Sequence, residues 1–193
     1  MSIEKASRYA AKAHEGQFRK NSKTPYIVHP QRVAAMVEGF LKDHKLREFG
    51  VIVAWLHDTV EDDRNTTIEI IVKEFSRAVA RNIYFLTDPS WHTGSRMERK
   101  DEVCRKMKVA PMIARIVKCC DVLDNLQDVE TLEPDFRELY IQEKAQLYEA
   151  MLEGVDENEE PEAAAIEALG QRIKELTNPK ALDLSAFNPR EEP

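Results

Sequence analysis

The amino-acid sequence predicts an all-α fold, and three observations support this prediction. Apolar and alanine positions recur at helical spacing through most of the 193 residues. No segment alternates apolar and polar residues in the way that a half-buried strand does. The apolar fraction of 42% and the charged fraction of 33% are typical of a globular chain whose length suits one domain with a substantial core.

Five helices are predicted in the N-terminal half of the chain. The first lies close to the N-terminus, and Pro30 suits the first turn of the second, after an irregular basic segment. The third is predicted to run unbroken through LREFGVIVAWLHDTVED. Thr66 or Thr67 is the predicted N-cap of the fourth helix and Ser76 that of the fifth, because a hydroxyl oxygen can accept a free backbone N–H.

Further helices are predicted in the C-terminal half, after a loop at PSWHTG, where Pro, Ser and Gly favour a turn. They cover about Ser95 to Met107, the run APMIARIVKCCDVLDNLQDV, about Pro134 to Glu153, and EAAAIEALGQRIKELT. The remaining tail contains Pro, Asn and charged residues, so we expect it to be flexible.

The composition argues against several classes of function. The net charge of -7 disfavours a nucleic-acid-binding protein, because a protein that binds the phosphate backbone normally presents a basic surface. No run approaches the roughly 20 apolar residues of a membrane-spanning helix, so we expect a cytoplasmic protein without a membrane partner. The three cysteines lack metal-type spacing, and Cys119 and Cys120 are interpreted as one core residue and one residue on the flank of a helix.

The stretch AWLHDTVEDD, residues 54–63, combines an apolar helix with a histidine and several carboxylates. On a continuous helix His57 and Glu61 share one face, as do Asp58 and Asp62. The apolar residues around them bury this end of the helix, and a buried carboxylate without a partner costs on the order of several kcal/mol. We therefore expect a cation here, and His57 and Asp58 are suitable ligands for a divalent metal.

Two further ligands must come from other segments. His29 lies where an irregular segment meets a helix, and Asp121 lies in an otherwise apolar run. Together with the histidine and aspartate of the third helix they form a mixed nitrogen and oxygen set, which suits Mn²⁺, Zn²⁺ or Fe²⁺ better than Ca²⁺. Each also has a structural alternative, since His29 alone fits a hydrogen-bonded loop residue and Asp121 alone fits a salt bridge to Lys118 or Arg115.

Five stretches, in this order, resemble the hydrolase domain of the RelA/SpoT-type enzymes, which are HD-domain phosphohydrolases: AAKAHEGQFRK, TPYIVHPQRVA, VAWLHDTVEDD, FLTD and KCCDVLDNL. The similarity covers roughly residues 3–150 and is strongest to the small stand-alone alarmone hydrolases of that family. It implies an HD-domain helical bundle with a metal site between helices over residues 1–153. Residues 154–193 would then form a C-terminal helix and a flexible tail.

The resemblance also assigns roles to individual residues. It implies a metal site, with Mn²⁺ as the usual ion and other divalent transition metals as alternatives, held by His29, His57, Asp58 and Asp121. It implies a catalytic acidic pair that orients water and handles its proton, Glu61 and Asp62. It implies a set of substrate-binding residues, which are Arg19, Lys20, Arg96, Asn125, Arg137 and Tyr140.

Four of the six substrate-binding assignments have alternatives that the sequence leaves open. Arg19 and Lys20 could be a solvated surface pair instead of phosphate contacts. Asn125, one turn after Asp121, could either bond the sugar of a nucleotide or hold Asp121. Tyr140 could stack on a base or ribose, or it could be an ordinary core tyrosine.

The reaction implied by the resemblance is hydrolysis of the 3′-diphosphate of ppGpp or pppGpp to GDP or GTP and pyrophosphate. Alternatives within the same family are hydrolysis of ppApp-type alarmones and removal of the 2′-phosphate of NADPH. A non-catalytic nucleotide-binding module is a further alternative, but the ligand and catalytic positions all hold competent residues. A toxic synthetase is compatible as a partner, and the sequence leaves the oligomeric state open.

Overall fold

Helices form nearly all of the regular structure in the computed structural model, which describes residues 1–20, 22–88, 95–153 and 160–177. The helices are α1 (Ile3–Ala13), α2 (Val28–Phe40), α3 (Arg47–Leu56), α4 (Thr59–Asp62), α5 (Ile68–Glu74), α6 (Arg77–Leu86), α7 (Arg96–Lys108), α8 (Met112–Asn125), α9 (Pro134–Leu152) and α10 (Glu160–Thr177), with a 3-10 helix at Leu126–Thr131. Within these residues the only extended pairing is one isolated bridge between Phe18 and Pro25. The predicted all-α class is confirmed.

The prediction of one continuous third helix is wrong, because the helix is broken at His57. Helix α3 ends at Leu56, and α4 begins at Thr59 after a turn. At this turn the Nδ1 atom of His57 lies 2.7 Å from the carbonyl oxygen of Ala54, and the Thr59 hydroxyl donates to the carbonyl oxygen of Leu56 at 2.8 Å. These side chains take acceptors that a continuous helix would use for its own N–H groups, so the backbone turns.

The predicted helix starts agree closely with the structure. Thr67 caps α5 and Ser76 caps α6, each accepting the backbone N–H three residues further on. Ser95 caps α7 in a capping box with Glu98. The predicted loop at PSWHTG comprises residues 89–94, and the predicted tail comprises residues 178–193. Both lie outside the described residues.

The core is built where α2, α3 and α8 pack together, with α1 against α3 and α10 against α8 and α9. Its largest fully buried side chains include Leu41, Ile52, Leu56, Ile83 and Ile116. Cys119 and Cys120 are both fully buried, so the expectation that one of them lies on the flank of the helix is wrong. None of the described helices has both the length and the apolar character that crossing a bilayer requires.

Helix α10 is closely fitted to the rest of the bundle. Glu162, which is fully buried, pairs with Arg115 of α8. Gly170 lies against the ring of Tyr148 on α9, so close that a Cβ atom at this position would meet ring atoms at 2.7 Å. The C-terminal helix therefore supports α8, the helix that carries Asp121.

Candidate metal centre and active site

Four side chains from three parts of the fold converge at one point. His29 comes from the start of α2, His57 and Asp58 from the turn between α3 and α4, and Asp121 from α8. The Nε2 atom of His29 lies 3.3 Å from the Nε2 atom of His57 and 3.3 Å from Oδ1 of Asp121. Oδ2 of Asp58 lies 2.9 Å from Nε2 of His57 and 3.4 Å from Nε2 of His29.

Contacts on the outer side of each imidazole orient its inner nitrogen. His29 presents Nδ1 to the buried carboxylate of Asp124 at 2.7 Å, and His57 presents Nδ1 to the carbonyl oxygen of Ala54 at 2.7 Å. Both partners are acceptors, so each Nδ1 carries the hydrogen and donates it outwards. In the neutral form of each ring the lone pair of Nε2 points to the centre, which is the arrangement of a metal-binding histidine with its outer partner.

The electrostatic balance of this cluster is strongly negative. Burial lowers the pKa of His29, but its bonds to Asp121, Asp124 and Asp58 outweigh burial and raise the pKa to about 11. Burial raises the pKa of Asp58. The charge of His57 and the hydrogen bonds with His29 and His57 outweigh burial and hold that pKa well below its usual range. The carboxylates therefore favour a positive charge at the centre. His29, His57 and Asp121 are buried and bring ligand atoms within 4.8 Å of one another, so the residues fit a divalent transition metal.

The contacts of Asp121 include one of the two salt bridges that the sequence left open for it. Its Oδ2 accepts a bond from Lys118 at 2.8 Å, while Oδ1 faces the imidazoles and accepts from Asn125 Nδ2 at 2.6 Å. The salt bridge to Lys118 occupies Oδ2, while Oδ1 faces the two imidazoles. Arg115 pairs with Glu162 instead. Burial raises the pKa of Asp121, but Lys118 and the bond to His29 outweigh it, and the net shift is downwards.

Helix α4 holds the predicted acidic pair beside this cluster. Asp62 stays one turn after Asp58, since its N–H donates to the Asp58 carbonyl oxygen at 3.0 Å. Glu61 accepts the backbone N–H of Asp88, and burial followed by the charge of Asp58 raises its pKa to about 7. Burial and the Asp58 charge also raise the pKa of Asp62, whose Oδ2 lies 3.8 Å from Nδ1 of His14.

A cavity of about 310 Å³ opens beside the cluster. Five of the six predicted substrate-binding residues line it: Arg19, Lys20, Arg96, Asn125 and Tyr140. Arg19 Nη1 donates to Asn125 Oδ1 at 3.0 Å, and Asn125 in turn donates to Asp121. Asn125 therefore holds Asp121, which is one of the two roles considered for it, and the same contact ties the cavity wall to a carboxylate of the cluster.

Arg137 does not line this cavity, so the geometry does not support its assignment as a substrate-binding residue. It pairs with Glu130 at 2.5 Å and lines a separate depression on the surface. On α9 the cavity face is formed by Phe136 and Tyr140, which are four residues apart, whereas Arg137 is turned about 100° away from Phe136. The Phe136 ring faces two cations, with Lys20 Nζ at 5.5 Å and Arg96 Cζ at 5.0 Å from its centroid.

Sequence reasoning missed four residues that the structure brings to this region. Asp124 orients His29, and Tyr26 donates a hydrogen bond to Oδ2 of Asp58 at 2.7 Å. Phe136 forms part of the cavity wall, and His14, buried against Tyr26, reaches towards Asp62. Asp124 follows Asp121 at a spacing of three, the one signal that could have identified it as a partner on the same helix face.

Comparisons with known proteins place the chain in a family. Residues 6–154 match the HD domain family. The guanosine-3′,5′-bis(diphosphate) 3′-pyrophosphohydrolase MESH1 of Xenopus tropicalis is 36% identical over 157 residues, which are 79% of this chain and 84% of that protein. A GTP pyrophosphokinase of Myxococcus xanthus is 33% identical over 153 residues, which are 76% of this chain and only 19% of that relative.

The fold is also that of a solved structure, a metazoan orthologue of SpoT described as hydrolysing ppGpp. The two structures superpose with a TM-score of 0.72, covering 88% of this chain and 94% of the other at 24% sequence identity. At this identity the likeness concerns the arrangement of helices alone. It agrees with the all-α bundle.

Proposed function

Because the chain belongs to the HD domain family, we propose that it is a phosphohydrolase acting on ppGpp and pppGpp. Water would cleave the bond between the 3′ oxygen and the diphosphate group, leaving GDP or GTP and releasing pyrophosphate. The observation that carries the proposal is the convergence of two outwardly bonded imidazoles and two carboxylates beside a cavity lined by cations. The pyrophosphohydrolase among its relatives supports the choice of substrate.

We propose that His29, His57, Asp58 and Asp121 hold a divalent ion, with Mn²⁺ as the expected metal. Nitrogen and oxygen ligands without thiolates suit Mn²⁺, and they also accept other divalent transition metals. When bound, such an ion polarises a phosphate oxygen and lowers the pKa of water. Tyr26 and Asn125 keep Asp58 and Asp121 in place through their hydrogen bonds.

The other side chains of the site would orient water, accept its proton and bind the substrate. Glu61 and Asp62 would orient the attacking water and accept its proton, since both carboxylates lie on α4 directly after the metal-binding turn. Arg19, Lys20 and Arg96 would offset the negative charge of the substrate phosphates from the cavity wall. Tyr140 would offer an aromatic face to the base or ribose.

Product analysis tests this proposal directly. The purified, Mn²⁺-loaded protein is incubated with ppGpp, ppApp and NADPH in parallel, with and without EDTA, and the products are separated by ion-exchange chromatography. We expect EDTA-sensitive release of pyrophosphate from ppGpp. Pyrophosphate from ppApp alone would change the nucleobase, phosphate from NADPH alone would make the protein a cofactor phosphatase, and no turnover would favour a nucleotide-binding module.

The cellular role follows from the same activity. We propose that the enzyme acts in the cytoplasm, where it removes alarmones of the stringent response, and that a toxic alarmone synthetase is its functional counterpart. Co-expression with such a synthetase tests this role. The chain should restore growth, while its His57→Ala variant should not.

A further inference from the structure

Two residues at the end of α1 connect this helix with Asp62 of the acidic pair: His14, which is the C-cap of α1, and Gln17. Between them Gly16 has a φ of 77°, which glycine adopts without strain, and the backbone N–H of Gln17 donates to the carbonyl oxygen of His14 at 3.1 Å. This turn brings the two side chains together, with Nδ1 of His14 lying 2.9 Å from Oε1 of Gln17. The Nε2 atom of Gln17 in turn donates to the backbone carbonyl oxygen of Asp62 at 3.0 Å.

The hydrogen bonds of His14 and Gln17 have a fixed direction. The amide oxygen of Gln17 is an acceptor, so Nδ1 of His14 carries a hydrogen and donates it. The amide nitrogen of Gln17 then faces Asp62, whereas a reversed amide would place two oxygen atoms against each other. Nε2 of His14 is buried and has no hydrogen-bond partner in the part of the chain that the structure describes. The imidazole is therefore oriented by Gln17 and by packing on Tyr26, whose ring centroid lies 4.8 Å away.

Asp62 depends on such contacts because the helix that carries it is short. Helix α4 has four residues and ends at Asp62. A single helical turn is marginal by itself in water, so contacts from other elements determine where its last residue lies. The carbonyl oxygen of Asp62 accepts from Gln17, and its Oδ2 atom lies 3.8 Å from Nδ1 of His14. Both the backbone and the carboxylate of Asp62 are thus bordered by the end of α1.

Tyr26 links the same two residues to the metal-binding turn. Its backbone N–H donates to the carbonyl oxygen of Gln17 at 2.9 Å, and its hydroxyl donates to Oδ2 of Asp58 at 2.7 Å. Its ring packs on His14. One continuous set of contacts therefore fixes Asp62 relative to Asp58, a proposed ligand of the metal.

We propose that His14 and Gln17 are positioning residues, which hold Asp62 where its carboxylate acts on the attacking water. This inference rests on the proposed function. Neither residue is a proposed metal ligand and neither lines the substrate cavity, so their loss should lower kcat and leave both KM and metal content unchanged. If the two residues only filled space at the end of α1, apolar side chains of similar size would serve equally well.

Steady-state kinetics of the full-length, Mn²⁺-loaded protein tests this inference, with whichever of ppGpp, ppApp and NADPH the parent cleaves. His14→Leu and Gln17→Met keep most of the side-chain volume and remove the hydrogen bonds. We expect each to lower kcat about tenfold or more, because a misplacement of about 1 Å can cost on the order of 100-fold. KM and metal content should stay within about twofold of the parent, since the ligands and the cavity are intact. His14→Asn keeps an N–H group close to the position of Nδ1 and should retain kcat within about threefold.

The matched control is Tyr9→Phe, which removes a different hydrogen bond of α1. The Tyr9 hydroxyl lies 3.0 Å from Oγ1 of Thr66, shortly after α4, so this bond supports the same region without ending at Asp62. Tyr9→Phe should retain the kcat of the parent. Hydrogen–deuterium exchange measured by mass spectrometry adds a readout that does not depend on turnover. In His14→Leu and Gln17→Met the backbone amides of α4 should exchange faster than in the parent, while those of α8 should not change.

An unchanged kcat in Gln17→Met would overturn the inference, as would a kcat in His14→Asn as low as that in His14→Leu. An equal fall of kcat in Tyr9→Phe would also overturn it, because the effect would then be that of a less stable α1. A parent that cleaves none of the three substrates would contradict the proposed function. In that case faster exchange of α4 in the two variants would still support the holding of Asp62, and unchanged exchange would overturn it.

Discussion

Helix α8 buries charged side chains in two places, and the two places differ in how the charge is balanced. Near its start, Arg115 pairs with the fully buried Glu162 of α10 and also donates to the carbonyl oxygen of Ala110 at 2.6 Å. One cation meets one anion, and the charges cancel within the protein. Such a pair needs no external group, and it fixes the position of one helix on another.

Further along α8 the balance is incomplete. Asp121 faces Asp58 and two imidazoles, and in their neutral form the inner nitrogens are acceptors because the Nδ1 hydrogens are donated to Asp124 and Ala54. Acceptors therefore converge on one point from three elements of the fold. This difference teaches that buried charge alone does not indicate a functional site. A site is indicated where several acceptors converge on one point while the hydrogens of the same side chains are donated outwards.

The largest effect is expected from removing a metal ligand. Asp121→Ala and His57→Ala should each lose the bound ion and lower kcat/KM about 1000-fold or more, because the metal supplies several kcal/mol of transition-state stabilisation. Metal content by mass spectrometry and ppGpp turnover measure both effects. The double variant Arg115→Met/Glu162→Leu is the matched control, since it removes the buried charge pair that α8 forms with α10 and should retain metal and activity.

This prediction also tests the comparison itself. Unchanged metal content in both Asp121→Ala and His57→Ala would contradict the metal centre. Loss of metal in the double variant would show that the two ends of α8 are not independent. Circular dichroism of every variant separates loss of the ion from loss of the fold.

The second prediction concerns the structural end of α8. Glu162→Ala leaves Arg115 buried without its anion, which should lower the free energy of unfolding by about 3 kcal/mol. Replacing both partners by apolar residues should be much less destabilising, because no charge is then left uncompensated. Urea denaturation of the two variants measures the difference. A single variant as stable as the parent would mean that α10 contributes little to holding α8.

The third prediction concerns the residue that orients His29. Asp124→Asn keeps the size of the side chain but weakens the acceptor for the Nδ1 hydrogen, so the ring loses its fixed orientation and part of its basicity. Metal affinity should fall about 10- to 100-fold, measured by competition with a chelator. The control is Glu138, an exposed carboxylate on α9. Glu138→Gln should leave the metal affinity unchanged.

The sequence predicted the parts of the fold that depend on local interactions. Thr67 and Ser76 are caps because a hydroxyl oxygen reaches an N–H three residues away, and that contact needs no tertiary partner. The break after Leu56 was missed, since the helical pattern of apolar residues continues across it. Only the positions of the His57 and Thr59 side chains show which carbonyl oxygens they occupy.

The same distinction applies to the candidate site. The ligand set was predicted from residue chemistry and matched by the resemblance, which also implied the acidic pair, because each of these motifs is short and contiguous in the sequence. Asp124, Tyr26 and Phe136 were missed, since each acquires its role from a partner far away in the chain. Arg137 lies away from the cavity, because the motif alone did not define which face of α9 meets the cavity.

The smallest effects are expected on α9, where two adjacent residues face in different directions. Arg137 pairs with Glu130 at the surface, and such pairs contribute about 0–1 kcal/mol, so Arg137→Ala should change neither stability nor ppGpp turnover measurably. Phe136 lies between Lys20 and Arg96 in the cavity wall, and Phe136→Leu should raise the KM for ppGpp about three- to tenfold through loss of the aromatic face. Steady-state kinetics of both variants decides between the two faces of α9. The opposite result, a raised KM in Arg137→Ala alone, would return Arg137 to the substrate-binding set and require α9 to turn when the nucleotide binds.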